Sequence, residues 1–261
     1  MFRRLRTGTE LVDGIPVHWV APRRPTTSAA LWLTYLGGSA EASRPMLVRL
    51  ARRGLVSCSF DPPEHGARGD RRPPAQLAGE VMAALRRRIW PLLGQMVLES
   101  RRVLDWMEDR FGVSPPHVAG GVSMGGDAAV ALAGVERLIA RVCALIATPD
   151  WTRPGMRGIE PDPQILDQGR ADPRAQRFFD AFNPMSHLDA YEREVCISFQ
   201  CGGADQQVPL EAALRFRDAL VRRDPAAADR VRVDVFEGLS HASAGNDKRL
   251  TRAAVNWLSR G

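Results

Sequence analysis

From residue 29 to the end of the chain, short apolar runs alternate with helix-length amphipathic stretches, the pattern of a largely parallel sheet covered by helices. Residues 29–35, 54–60, 117–122, 141–147, 195–201 and 231–236 are predicted as strands, and 45–53, 124–134, 209–223 and a closing stretch to 258 as helices. A further helical region begins near residue 75. Pro91 is expected to interrupt it, because a proline lacks the N–H of a helix hydrogen bond and biases Trp90 away from helical angles, so a kink or two helices should result. Beyond that break Leu92, Leu93, Met96, Val97, Val103, Leu104 and Met107 fall on one face and predict a core-facing helix. Ahead of the alternating region, residues 10–12 and 15–20 flank Asp13-Gly14, a dipeptide that supplies the positive φ angles of a tight hairpin turn. The fold class is therefore α/β, a mostly parallel sheet with an N-terminal antiparallel hairpin and helices on both faces.

Two stretches depart from this rhythm. Residues 61–74 are dense in Pro, Gly and Arg, so they predict a loop, and one long enough to carry function. Residues 148–191 hold six of the 19 prolines and gather Trp151, Phe178, Phe179 and Phe182, which reads as a cap inserted within a single domain spanning 1–261. A chain of 261 residues can bury a sizeable core without staples.

Composition excludes several classes. Hydrophobic residues at 44% and charged residues at 25% are ordinary for a globular protein. No apolar run approaches the roughly 20 residues of a spanning helix, so no membrane partner is expected. The basic start, Met1 to Arg6, lacks the apolar stretch of a secretory peptide, which makes the cytoplasm the default location. Cys58, Cys143, Cys196 and Cys201 lie in or beside apolar runs without metal-ligand spacing, so they read as buried small hydrophobes, and no metal or cofactor is expected. The net charge of +6 invites a nucleic-acid reading, but Arg52-Arg53, Arg86 to Arg88, Arg101-Arg102 and Arg222-Arg223 fall on four separate helix-like segments. Solvated helix faces are the expectation, with no nucleic-acid partner.

The chemistry concentrates at strand ends. Gly121-Val122-Ser123-Met124-Gly125 matches the Gly-x-Ser-x-Gly elbow, in which a serine sits on a sharp turn between strand and helix. The helix opening at Met124 would aim its amino-terminal dipole at a developing oxyanion. A serine hydroxyl needs a general base, and the base an orienting carboxylate. Asp205, in a Gly-rich loop past one strand, and His241, just past the next, supply both in the order Ser, Asp, His. Singly, that aspartate reads as a turn former and that histidine as a helix cap; the shared placement favours a triad. His18 and His117 lie away from the elbow, whereas His65 and His187 sit in loops that could approach it.

With the elbow, the loop Asp61-Pro62-Pro63-Glu64-His65-Gly66-Ala67-Arg68, the acid loop ending Val208-Pro209 and the segment 238–241, the chain resembles an α/β-hydrolase. It is similar to small bacterial carboxylesterases on the dienelactone-hydrolase and prolyl-oligopeptidase-like side of that superfamily. Dienelactone hydrolase uses a cysteine nucleophile, and this elbow carries serine. Such esterases show His-Gly after the strand corresponding to residues 29–35, and this chain has Leu36-Gly37-Gly38. By position, the resemblance implies oxyanion donors at the Gly38 and Met124 amides, with a substrate site drawing on Leu36, Gly37, His65 and Trp151.

The sequence thus predicts a serine hydrolase acting on a small-molecule ester, a monomer or homodimer, with Ser123 as nucleophile, His241 as base and Asp205 as its orienting acid. The short aromatic cap suggests a small acyl pocket suited to acetyl to butyryl groups. A peptidase or thioesterase on the same triad, or a hydrolase fold used only for binding, are the alternatives.

Overall fold

The computed structural model describes residues 5–70, 72–158 and 164–260. Residues 1–4 of the basic start, residue 71 of the expected loop and residues 159–163 of the expected cap lie outside them. The hairpin strands β1 (Leu5–Val12) and β2 (Ile15–Pro22) pair antiparallel from Val12↔Ile15 outward. Asp13 and Gly14 carry φ of 48° and 80°, the double positive turn that the dipeptide favours. Both strands run longer than expected; β1 is an edge strand whose polar residues meet solvent and leave no apolar signature.

Behind the hairpin come β3 (Ala29–Leu33), helix α1 (Arg44–Arg52) and β4 (Val56–Phe60), both strands wholly buried. Helices α2 (Pro74–Ala83) and α3 (Leu85–Phe111) precede β5 (His117–Val122), α4 (Met124–Val135) and β6 (Ile139–Leu145). After α5 (Pro173–Phe182) the chain continues through β7 (Cys196–Gly202), α6 (Glu211–Arg223), α7 (Ala227–Arg230), β8 (Val231–Phe236), α8 (His241–Gly245) and α9 (Lys248–Leu258). The eight strands form one sheet in the order β1-β2-β4-β3-β5-β6-β7-β8. From β4 onward neighbouring strands run parallel, and β2 joins β4 antiparallel. This is the α/β-hydrolase fold. One apolar cluster lies under α3, α4 and α6, and a second, holding Trp32, lies under α1 and α9 on the opposite face.

Pro91 does not break its helix. It sits inside α3, where it leaves one carbonyl, that of exposed Arg87, without an N–H partner, and water can take that place. The break comes at Ala84, with φ −146° and ψ 56°. An alanine there carries no local signal; tertiary contacts decide, since Leu85, Ile89 and Trp90 are all buried and the Arg86 amide donates to Gln168 O at 3.1 Å. The closing helix is likewise two, with Asp247 capping α9 by accepting from the Arg249 amide at 2.6 Å. The arginine clusters occupy three helices rather than four, because residues 86–88 and 101–102 both belong to α3.

The connection between β6 and β7 packs on α3. A Cβ at Gly94 would lie 2.0 Å from the Phe178 ring, so glycine is what lets α5 approach so closely. The Trp90 and Phe179 rings meet at 4.3 Å with their planes tilted by 31°, and the Trp90 indole N–H donates to Trp151 O at 2.9 Å.

Candidate active site

Ser123 stands between β5 and α4 at φ 51° and ψ −119°, a left-handed conformation that a non-glycine residue holds only under constraint. The constraint is steric and hydrogen-bonded together. A Cβ at Gly121 would fall 2.4 Å from Gly125 C, and one at Gly125 would fall 2.2 Å from Leu33 O, so both flanking positions must be glycine. The Ser123 amide donates to Leu145 O at 2.8 Å, fixing the turn to the neighbouring strand.

His241 opens α8, whose amino end is held by a reciprocal box between Ser240 and Ser243. Its Nε2 lies 3.0 Å from Ser123 Oγ and its Nδ1 2.7 Å from Asp205 Oδ2. Asp205 is buried, and its Oδ1 accepts from the Gln207 and Val208 amides at 3.0 and 2.8 Å. The loops after β7 and β8 converge here because the Ala204 amide donates to Leu239 O at 3.0 Å. The structure therefore brings Ser123, His241 and Asp205 into one hydrogen-bonded chain.

The loop after β3 differs from the expectation. The Gly38 N–H donates to Tyr35 O at 2.8 Å and Gly37 has φ 81°, the pattern of a type II turn with Leu36 and Gly37 at its centre. Gly38 is thus engaged in closing the turn, and Gly37 packs towards Pro74. The Gly38 amide is therefore not free for an oxyanion, whereas Leu36, which lines the cavity together with Ser123 and Met124, donates no backbone hydrogen bond among the described residues. No histidine anchors this loop; Asp61 does, accepting from the Ala40 amide through Oδ1 and from the Ala67 amide through Oδ2.

The cavity has a volume of about 310 Å³. Met82 of α2 with Leu85 and Ile89 of α3 contribute an aliphatic part of its wall. His65 is not on it: the ring is buried, Nδ1 meets Pro63 O at 2.7 Å, and burial holds the imidazole below its ordinary value. Trp151 is fully buried and packs away from the cavity, as do Phe178, Phe179 and Phe182, so the aromatic side chains serve the α3–α5 contact rather than a pocket. His187 bonds the Asp180 carbonyl at 2.6 Å, likewise outside the cavity.

Two residues escaped the sequence reading. Asp127, one turn into α4, is wholly buried and accepts from the Thr148 amide at 2.7 Å through Oδ1, while Arg153 Nη2 donates to its Oδ2. Burial pushes the Asp127 carboxyl up to about 6 against the pull of Arg153. Arg153 is 6% exposed and lines the cavity. The four-residue step from Ser123, just ahead of α4, to Asp127 in its first turn was the available signal; nothing local marked Arg153.

The sequence model of the prolyl oligopeptidase family matches residues 70–260, a stretch that holds Ser123, Asp205 and His241. The chain belongs to the prolyl oligopeptidase family. Among solved structures, TT1662 from Thermus thermophilus is similar at 26% identity and TM-score 0.71, over 98% of this chain and 97% of that one. A protein classed as a dienelactone hydrolase from Klebsiella pneumoniae superposes at TM-score 0.70 and 14% identity, over 99% of this chain and 100% of its own. A puromycin-hydrolysing peptidase from Mycobacterium tuberculosis superposes at TM-score 0.67 and 18% identity, over 97% of this chain and 39% of its own. Among curated proteins, none matches the sequence. The family and the fold make this chain a serine hydrolase of the α/β-hydrolase type. Among the described residues, no helix is long and apolar enough to cross a membrane.

Proposed function

We propose that this member of the prolyl oligopeptidase family is a carboxylesterase for short-chain acyl esters, acting through an acyl-enzyme on Ser123. The observation that carries the reading is the Ser123–His241–Asp205 hydrogen-bonded chain opening on a small, mostly aliphatic cavity. His241 Nε2 takes the hydroxyl proton as Ser123 Oγ attacks the ester carbonyl, and Asp205 stabilises the imidazolium. The tetrahedral oxyanion is held by the Leu36 and Met124 amides, the second aided by the α4 dipole. Collapse returns the proton to the departing alcohol. Water, activated by the same histidine, then attacks the acyl-enzyme and releases the acid.

A volume of about 310 Å³ is at the small end of ligand cavities, which favours acetyl to butyryl groups over long chains. The segment 148–191 acts as a cap in this reading, because Arg153 and Met156 from it reach the cavity wall. A p-nitrophenyl ester series tests the proposal: kcat/KM should be highest from two to four carbons, and a maximum above about eight carbons would overturn it.

The family match favours a second reading, an aminopeptidase on the same triad. Aminoacyl p-nitroanilides turned over faster than p-nitrophenyl butyrate would select it.

A further inference from the structure

Arg153 combines three features that a merely structural ion pair does not need. It is 6% exposed yet lines the cavity that holds Ser123, and it is the one permanently charged residue among the described residues that do so. It is held at φ 46°, a left-handed conformation that costs an arginine free energy and is maintained by surrounding bonds. Its amide donates to Asp150 O at 3.1 Å and its carbonyl accepts from Gln168 Nε2 at 2.9 Å, so the backbone is pinned on both sides.

The guanidinium is only partly used. Nη2 donates to Asp127, which lies fully buried behind the cavity wall, whereas Nε is buried with no partner among the described residues. Nε is sealed, so the donor left to a ligand is Nη1, which is not sealed and makes no hydrogen bond among the described residues; an acceptor there would meet a charged donor. The Asp127–Arg153 pair is already neutral. A carboxylate ligand would place two anions on one guanidinium in an apolar cavity, which favours an uncharged acceptor.

Building on the esterase reading above, we infer that Arg153 is a specificity-determining residue whose free guanidinium edge binds an uncharged carbonyl oxygen in the substrate's acyl chain. The preferred substrates are oxo-acyl esters, short acyl chains with a second carbonyl beyond the ester. Simple alkanoyl esters of the same length fit the apolar wall and leave the guanidinium edge unmet.

The test compares p-nitrophenyl 4-oxopentanoate and 5-oxohexanoate with the pentanoate and hexanoate, and with the mono-p-nitrophenyl ester of glutaric acid as the charged arm. In the wild-type protein at least one oxo ester should exceed its alkyl counterpart in kcat/KM by about tenfold or more, as for a hydrogen bond to a charged donor. The ratio should fall towards one in Arg153→Met combined with Asp127→Asn, a pair of changes that leaves no orphaned charge and keeps the Asn oxygen for Thr148. The specificity ratio is read rather than the absolute rate, with a melting curve to establish folding. Arg153→Lys, which keeps the charge but loses the fork, should give an intermediate ratio and serves if the double variant does not fold.

A wild-type ratio near one, a ratio unmoved by the substitutions, or a preference for the glutarate ester over both oxo esters would each overturn the inference. In Ser123→Ala protein, ligand-observed NMR titration with methyl 4-oxopentanoate against methyl pentanoate reads the same preference without turnover. Tighter oxo-ester binding there supports the Arg153 assignment even if no ester is cleaved, and equal binding overturns it. Absence of ester cleavage by wild-type protein overturns the esterase reading alone.

Discussion

The Ala40 amide donates to Asp61 Oδ1 at 2.7 Å, and through this bond the loop after β4 holds the loop after β3 in place. The second carboxylate oxygen accepts from the Ala67 amide at 2.8 Å, so one buried side chain fixes both segments. Gly66, at φ 51°, is what lets the backbone pass the carboxylate: a Cβ there would fall 2.3 Å from it. The turn at Leu36 and Gly37 thus depends on a residue outside the cavity. Asp61→Ala leaves two amides unmet, at about 1–3 kcal/mol each where burial is complete. A lower melting temperature should accompany a fall in kcat larger than the rise in KM, because in the proposed mechanism this loop holds the oxyanion, which forms only in the transition state. Unchanged kcat in folded Asp61→Ala protein would separate Asp61 from that loop.

Ser123, His241 and Asp205 form a linear chain of two hydrogen bonds, and the three substitutions should differ in a way the geometry dictates. Ser123→Ala removes the oxygen proposed to accept the acyl group, so stoichiometric fluorophosphonate labelling should vanish and turnover fall by several orders of magnitude. His241→Ala should slow labelling while keeping the site of attachment. Asp205→Asn keeps the shape but offers an amide N–H or a weaker acceptor to Nδ1, which disturbs the imidazole tautomer; a loss of about 10⁴ in kcat is the precedent for such a change. Intact-mass and peptide mapping of the labelled proteins check all three, and labelling of a serine other than Ser123 would refute the assignment.

The β-α alternation made the sheet legible: β5 and β8 lie where the apolar runs placed them, because both are short runs bounded by turns. That Ser123, Asp205 and His241 would meet was legible for a related reason, since they lie at or just beyond the carboxyl ends of β5, β7 and β8, where strand ends share one edge of the sheet. What could not be read was set by contacts distant in sequence. Ala84 breaks a helix that its own residue type favours, while Pro91, the local breaker, is carried inside one. Trp151, expected on the substrate, is consumed by packing and by accepting from Trp90, and Arg153 gained its place from a backbone conformation that no short pattern encodes.

Gly94 gives a prediction about α5 that is independent of the chemistry. In an exposed helix interior Gly→Ala would gain about 1 kcal/mol. Here the added Cβ would sit 2.0 Å from the Phe178 ring, which must swing aside and loosen α5 from α3. Overpacking of this kind typically costs about 1–3 kcal/mol, so the net change should be destabilising. Urea denaturation of Gly94→Ala should show a lower midpoint at unchanged slope, and a stabilised variant would refute the packing.

Asp127 gives the pH dependence. Its carboxyl is raised by burial to about 6 in the folded protein, against an ordinary value of 3.8. Between these limits the folded state binds a proton that the unfolded state has released, so stability rests on the protonated form. That contribution is fully present below about pH 4, declines as the pH rises, and is gone above about pH 6. Asp127→Asn mimics the protonated carboxyl at every pH. The stability of wild-type protein relative to Asp127→Asn should therefore fall between pH 4 and 6 and level off above it, as read by denaturant titrations at pH 4, 5, 6 and 7.5. A relative stability that rises over this range would mean that Arg153 outweighs burial and holds the carboxyl below its ordinary value. The charged pair would then be the favoured state of the cavity wall, and Asp127 would behave as a conventional salt-bridge carboxylate.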